Sequence, residues 1–302
     1  MSLGCRRPLI PGVESPALIP GAPRPAMHRR ARRPRSRSGR GPAPTVHTGA
    51  VYFLDHPRPL AFAHRGGAGH FPENSWRAFE HAVKLGYSYL ETDAHATADG
   101  TVVAFHDKTL DRVTDSTGRI AELTAAQVAK ARIGGTEPIP LLADLIMAWP
   151  DIRLNIDVKD SPAIGPLIEV LRVTNSWDRV CLTSFSGRRL DATRRQLPRP
   201  VCSATTPAGI FAIRAGVPVK TLTSRFATRS VYCAQIPHSM ASTGFIQHAH
   251  AAGLQVHVWT VNDPALMATL LDRGADGIMT DQTEALRDVL TARGQWQPGV
   301  GA

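Results

Sequence analysis

From Pro59 onward, short apolar runs alternate with longer stretches in which apolar residues return at helical spacing. A run suited to a strand buried on both faces, followed by an amphipathic helix and then another such run, is the pattern of βα units around a parallel sheet. The runs predict strands at 60–64, 87–93, 153–158, 179–184, 201–204, 255–260 and 277–280, with 219–222 and 232–236 sharing one further position. Helices are predicted at 75–85, 141–149, 162–175, 187–196, 243–252, 264–273 and 284–292. Several begin on Ser, Thr, Asp or Pro and end at glycines such as Gly86, Gly253 and Gly274, as helix boundaries do. Eight repeats predict an α/β fold, a (β/α)8 TIM barrel.

One stretch departs from the repeat. Residues 97–136 run through Asp99-Gly100, a strand-like segment at 101–105, His106-Asp107, and a short helix near 124–131. An insertion after the second strand of a barrel hangs over the mouth where barrels place their sites, so it reads as a lid or shoulder that delivers His106.

Composition separates the chain into two parts. Residues 1–50 carry ten arginines against the single acid Glu14, so nearly all of the formal charge of +10 lies there and residues 51–302 are close to neutral. This segment is rich in Pro, Gly, Ser and Arg and has no apolar periodicity, which predicts a disordered arm. Pro11, Pro16 and Pro20 interrupt its apolar runs before a secretory core forms, and Met27 is a candidate alternative start. An arginine-rich arm is suited to weak contact with anionic surfaces, lipid or nucleic acid, without an obligate nucleic-acid partner. No run approaches the roughly 20 apolar residues of a membrane span. Cys5, Cys181, Cys202 and Cys233 lack metal-binding spacing, and the last three read as buried reduced thiols, consistent with a cytoplasmic protein.

The chemistry concentrates at strand ends. Glu91 and Asp93 are two apart on one strand and therefore share a face, and Asp157 with Lys159 repeats the arrangement on the next. Three carboxylates from neighbouring strands form an all-oxygen donor set suited to Mg²⁺ or Ca²⁺; each acid alone reads equally as a solvated strand-end charge. His64 and His106 are the candidates for proton transfer, since imidazole titrates near working pH. Arg65 follows His64 directly and suits phosphate oxygens, and Gly66-Gly67 lets backbone approach a ligand. His95 shares the inward parity of Glu91 and Asp93, so lining the site and lying on the surface both stay open. His81, His238, His248, His250 and His257 read as structural.

Taken in order, His-Arg-Gly at 64–66, Pro-Glu-Asn-Ser at 72–75, Glu-x-Asp at 91–93, Thr-x-Asp-Gly at 97–100 and His-Asp-x-x-Leu-x-Arg-x-Thr at 106–114 resemble the glycerophosphodiester phosphodiesterases. Asp-x-Lys at 157–159, Trp-Thr-Val-Asn at 259–262 and Gly-x-Asp-Gly-Ile-x-Thr-Asp at 274–281 extend the resemblance over residues 59 to about 291. The resemblance implies a hydrolase that releases glycerol 3-phosphate and an alcohol, with His64 and His106 as an acid/base pair. It implies a divalent metal, Mg²⁺ or Ca²⁺, held by Glu91, Asp93 and Asp157, the last standing where the family commonly has the longer Glu. Arg65 and Lys159 would neutralise phosphate, Asn74 would line the mouth, and Trp259 would wall off the glycerol or leaving group unless it is a core tryptophan. The rival readings are a lysophospholipase D-like activity, a phosphodiesterase forming a cyclic phosphate, a binding barrel without catalysis, and a nucleic-acid-binding protein that works through its arm.

Overall fold

A computed structural model describes residues 52–217 and 230–299; the arm expected at 1–50 and the strand candidate at 219–222 lie outside the described residues. Eight parallel strands close on themselves: β1 (Leu60–Ala63), β2 (Tyr89–Ala96), β6 (Arg153–Val158), β7 (Val180–Thr183), β8 (Cys202–Ala204), β9 (Val231–Pro237), β10 (Gln255–Trp259) and β11 (Gly277–Thr280). β1 pairs with both β11 and β2, which completes the predicted barrel. Tyr232 to Ile236, one of the two candidates for the sixth position, falls within β9.

Strand alternation sorts the side chains. On β2, Leu90, Ala94 and Ala96 face the helices and Tyr89, Glu91 and Asp93 face the barrel axis; on β6, Leu154, Ile156 and Val158 face outward while Asn155 and Asp157 face in. The outward layer packs against helices α1 (Trp76–Lys84), α3 (Leu142–Ala148), α4 (Ile164–Val173), α5 (Gly187–Gln196), α7 (Thr243–Ala251), α8 (Pro264–Asp272) and α9 (Thr283–Ala292) through residues such as Phe79, Leu167, Leu190, Phe245 and Leu286. Helix α6 (Pro207–Arg214) was not anticipated. Its Gly209 and its mostly apolar sequence blur the amphipathic period, although Thr206, which accepts from Gly209 N, and Pro207 at the first turn are ordinary start signals.

The lower interior is filled by Leu60, Phe62, Tyr89, Cys181, Cys202, Cys233 and Met279, and the three cysteines are buried free thiols. A one-turn helix at Tyr52–Leu54 plugs this end. Phe53 stacks edge-on against Tyr89, whose hydroxyl donates to the Phe53 carbonyl at 2.6 Å, and the Arg153 guanidinium lies 4.5 Å from the Tyr52 ring centre. Of the histidines read as structural, His257 is wholly buried, and His81 and His250 lie 2.7 Å and 2.6 Å from carboxylate oxygens of Glu284 and Asp276.

β2 runs three residues past its expected end, to Ala96, because β3 (Val102–Ala104) folds back antiparallel on it with Ala94 opposite Ala104. The insertion then closes on its own small core of Val103, Phe105, Leu110, Ile120, Val128, Ile133 and Ile139, with the short helix α2 (Ala125–Val128) capped by Thr124 and with β4 (Arg132–Ile133) paired to β5 (Glu137–Pro138). That second core makes the insertion a rigid shoulder.

Phe62 is fully buried between Phe53, Tyr89 and His257. Phe62→Ala is expected to lower the unfolding free energy by about 3–5 kcal/mol, read from a shifted denaturant midpoint at unchanged slope; a shift within about 1 kcal/mol would show that this interior layer is not what closes the barrel.

Candidate active site

The C-terminal ends of the barrel strands surround a cavity of about 340 Å³, lined on one side by His64, Arg65, Glu91, Asp93, His106, Asp157 and Lys159. All five of the residues expected to carry acid/base or metal chemistry therefore reach one pocket. Asp93 and Asp157 are register partners on β2 and β6, and Glu91 sits one inward-facing position deeper, opposite Asn155. Below them Asn155 and Gln235 exchange two amide hydrogen bonds across the barrel, 3.2 Å and 2.7 Å, which forms a polar floor.

The three carboxylates are almost wholly buried. Lys159 Nζ bridges two of them, 2.8 Å from Asp93 Oδ1 and 2.7 Å from Asp157 Oδ2. Burial would raise the Asp93 pKa, but Lys159 and Arg65 outweigh it and hold this carboxyl below its usual value. Asp157 goes the other way: burial raises its pKa and Lys159 only partly offsets it. Its Oδ1 has no hydrogen-bond partner, and its Oδ2 contact with Lys159 is a close ion pair whose geometry falls short of a hydrogen bond. Glu91 is pushed up to about 7, by burial first and by Asp93 second. An acid that resists ionisation at neutral pH lacks a sufficient counter-charge.

The backbone after β1 is shaped to meet these acids. His64–Gly66 form a one-turn helix in which Arg65 takes a left-handed conformation (φ 50°). That turn brings the Arg65 N–H to within 3.0 Å of Glu91 Oε2, while its guanidinium spans Glu73 Oε2 at 3.1 Å and Asp93 Oδ2 at 3.5 Å. A Cβ on Gly66 would stand 2.9 Å from the Phe79 backbone nitrogen, so the close approach of this turn to α1 requires glycine.

Each histidine is oriented by an aspartate. His64 Nδ1 lies 2.7 Å from Asp281 Oδ1, and Asn262 Nδ2 donates to the other oxygen of Asp281 at 2.9 Å. His106 Nδ1 lies 2.7 Å from Asp107 Oδ1; Arg112 donates to Asp107 and also to Glu73. The Arg112 hydrogen bond holds the Asp107 carboxyl down to about 2. With the aspartate accepting at Nδ1, the remaining ring nitrogen, Nε2, is the one available for proton exchange. Burial lowers the His64 pKa, but Glu91, whose Oε2 is 3.9 Å from Nε2, and Asp281 outweigh it and leave the ring above its ordinary value.

Two expectations are corrected. Asn74 does not line the mouth: it is 1% exposed and stands behind Asp93, donating to Asp93 Oδ2 at 3.0 Å and accepting from Thr92 Oγ1 at 2.7 Å. A side chain with both amide ends occupied at that depth positions the acid and is not free to meet a ligand. His95 is neither at the surface nor in the cavity lining, because the prolonged β2 carries it beneath the insertion, where its ring nitrogens lie 2.9 Å from Asp160 Oδ2 and 3.1 Å from the His106 carbonyl. Trp259 lines the pocket and packs edge-on against Phe185. Asp107, Arg112, Glu73, Asn262 and Asp281 had been given no role of their own; the signal for the aspartates was their place within the motifs that supply His106 and the last strand.

A parallel barrel whose mouth combines two aspartate-oriented imidazoles, three buried carboxylates and two cations has the equipment of a barrel hydrolase of charged esters. The model of the glycerophosphoryl diester phosphodiesterase family matches residues 64–285, and the chain belongs to that family. It is 42% identical over 266 residues to the probable glycerophosphodiester phosphodiesterase 2 of Mycobacterium tuberculosis, covering 85% of this chain and 98% of that protein. It is 28% identical to a human lysophospholipase D, over 76% of this chain and 85% of the relative. Among solved structures, a phosphodiesterase of Oleispira antarctica in complex with the product sn-glycerol-3-phosphate superposes with a TM-score of 0.67 at 24% identity, over 78% of this chain and 97% of that one. A Silicibacter pomeroyi structure of the same family gives 0.70 at 22%, over 82% and 99%. Among the described residues no helix is long and apolar enough to cross a membrane.

Asp281→Asn is expected to move the His64 titration midpoint down in metal-free protein, followed by NMR of the ring. The folded pKa of His64 lies above its unfolded value, so its charged form adds stability fully below about pH 6.5, and that contribution fades as pH rises through the folded pKa. An unchanged midpoint in the variant would mean that Asp281 does not tune the imidazole.

Proposed function

We propose that this enzyme hydrolyses glycerophosphodiesters to glycerol 3-phosphate and an alcohol, with His64 and His106 as the acid/base pair and a divalent cation in the pocket. The observation that carries this reading is the meeting of both imidazoles with Glu91, Asp93, Asp157, Arg65 and Lys159 around one cavity. The family match and the named relatives support the substrate class.

A phosphodiester is an anion that repels nucleophiles, so the site must neutralise it and protonate the departing alkoxide. Arg65 and Lys159 face phosphate oxygens. One imidazole takes, through Nε2, the proton of the attacking water, or of a glycerol hydroxyl whose cyclic phosphate water then opens, and the other gives its Nε2 proton to the leaving oxygen. Asp281 and Asp107 keep the rings in the required tautomer and steady the imidazolium.

The charge count favours a metal. Three carboxylates face two cations before an anionic substrate arrives, and the raised pKa of Glu91 and the unpartnered Oδ1 of Asp157 register that imbalance. The donors are all oxygen, which fits Mg²⁺ or Ca²⁺. Among the described residues no three ligand side chains yet converge on a point, and the ammonium of Lys159 stands between Asp93 and Asp157. Glu91, Asp93 and Asp157 would hold the ion, which when bound supplies positive charge and Lewis acidity at the phosphate.

A coupled assay for glycerol 3-phosphate with glycerophosphocholine as substrate tests this reading. Release is expected, with loss on EDTA treatment and recovery with Mg²⁺ or Ca²⁺. His64→Ala should reduce kcat by at least about 10²-fold without unfolding the chain. Near-normal turnover in that variant would remove His64 from the chemistry; a cyclic phosphate as the only product would replace hydrolysis by internal attack.

A further inference from the structure

The mouth has an apolar half from β7 to β10, which presents Trp259 and the exposed Phe185 and Phe211, and a charged half from β1, β2, β6 and the insertion. The charged half is assembled across a seam. His64 and Arg65 lie on the turn after β1, whereas His106 rides on a shoulder that packs around a core of its own. Glu73 bridges the two sides. Its Oε2 takes Arg65 Nη1 at 3.1 Å, and its Oε1 takes Arg112 Nη2 at 2.5 Å. Arg112 Nη1 adds a second bond to Oε2 at 3.3 Å, and Arg112 Nε is committed to Asp107, the aspartate that faces His106 Nδ1. The loop that carries Glu73 is held against the β1 turn, because Asn74 adopts a left-handed conformation (φ 54°) and its N–H donates to the Arg65 carbonyl at 2.8 Å.

We propose that Glu73 is a positioning residue for the hydrolysis inferred above, on which this assignment rests: through Arg112 and Arg65 it fixes where His106 stands relative to the bound phosphate. Glu73 is not among the side chains that line the cavity, so it acts through others. Arg112 is half exposed, and an ion pair made there adds little to the stability of the chain as a whole. What the pair adds is geometry. A guanidinium presents its donors in a rigid fork, and Arg112 uses three nitrogens on two carboxylates, which ties Asp107 to Glu73 at a fixed separation; a lysine ammonium has no such fork. On the other side, Asp93 Oδ2 lies 3.5 Å from Arg65 Nε, so Glu73 and Asp93 hold that guanidinium from two directions. A shift of about 1 Å between a catalytic group and its substrate costs on the order of 10²-fold in rate, so a clasp of this kind acts on turnover before it acts on folding.

Kinetics of glycerophosphocholine hydrolysis by the full-length enzyme with its metal test the assignment. Arg77→Gln is the control, since Arg77 also joins α1 to the insertion, 4.0 Å from Glu137, but stands outside this network. Glu73→Gln is expected to lower kcat/KM about 10-fold or more, with kcat carrying most of the loss, while Arg77→Gln stays near the parent enzyme. Arg112→Lys, which keeps the charge and loses the fork, is expected to fall as far as Arg112→Gln. The double variant Glu73→Gln/Arg112→Gln should be about as slow as Arg112→Gln alone, because both changes open one clasp. NMR reads the clasp without turnover: in metal-free Glu73→Gln the His106 ring nitrogens are expected to shift, while those of His81, paired with Glu284, do not. Should Glu73→Gln fold poorly, the two Arg112 variants decide, their side chain being half exposed. Parental kcat in Glu73→Gln, rescue by Arg112→Lys, multiplied losses in the double variant or an unmoved His106 ring would overturn the proposal. So would an equal loss in Arg77→Gln, which would assign the effect to anchoring of the insertion in general. Absence of glycerol 3-phosphate release by the parent enzyme would count against the proposed function, and the NMR comparison would then decide the clasp by itself.

Discussion

Three carboxylates buried side by side are costly to ionise, and much of the local structure of this barrel mouth answers that cost. Asp93 is the best compensated, with the Lys159 ammonium on one oxygen and the Asn74 amide and Arg65 guanidinium on the other. Glu91 receives a backbone N–H from a residue held in a left-handed conformation, and Asp157 keeps an oxygen without a partner. The site is thus short of positive charge in a graded way, least at Asp93 and most at Glu91 and Asp157. Such a gradient suits a pocket that takes up a cation together with an anionic ester.

The same economy links the two histidines to distant parts of the chain. His64 comes from the turn after the first strand and its aspartate from just beyond the last, so barrel closure itself assembles that pair. His106 comes from the insertion, which is anchored below by the His95 ring at the His106 carbonyl and from the side by Arg112, shared between Asp107 and Glu73. Glu73 in turn holds Arg65. One chain of ion pairs therefore runs from the shoulder to the Arg65 side of the pocket, and displacement of the shoulder would disturb both imidazole environments together.

The division of the mouth into a charged half and an apolar half separates two tasks. In the proposed function the charged half would meet the phosphate common to every phosphodiester, which leaves the apolar half to what differs between them. Residues on α6 and at the ends of β7 to β10 can change preference without touching the acids, as expected for a fold that varies its loops over a fixed barrel.

Much of this was legible in the chain itself. Alternating apolar runs and helical periods determined the barrel, because period and burial are local properties, and spacing by two put Glu91 with Asp93 and Asp157 with Lys159 on inward faces. The motifs singled out both histidines. Local pattern did not reveal α6, whose apolar residues blur its period, nor the extra length of β2, which exists only because β3 pairs with it. Asn74 and His95 were misplaced for a related reason: depth beneath a surface depends on what packs above it, and neighbours distant in sequence supply that. Only the closed barrel could bring Asp281 to His64, set a lysine between two acids, and leave Phe185 and Phe211 uncovered beside them, since each of these is a relation between segments and not a property of any one of them.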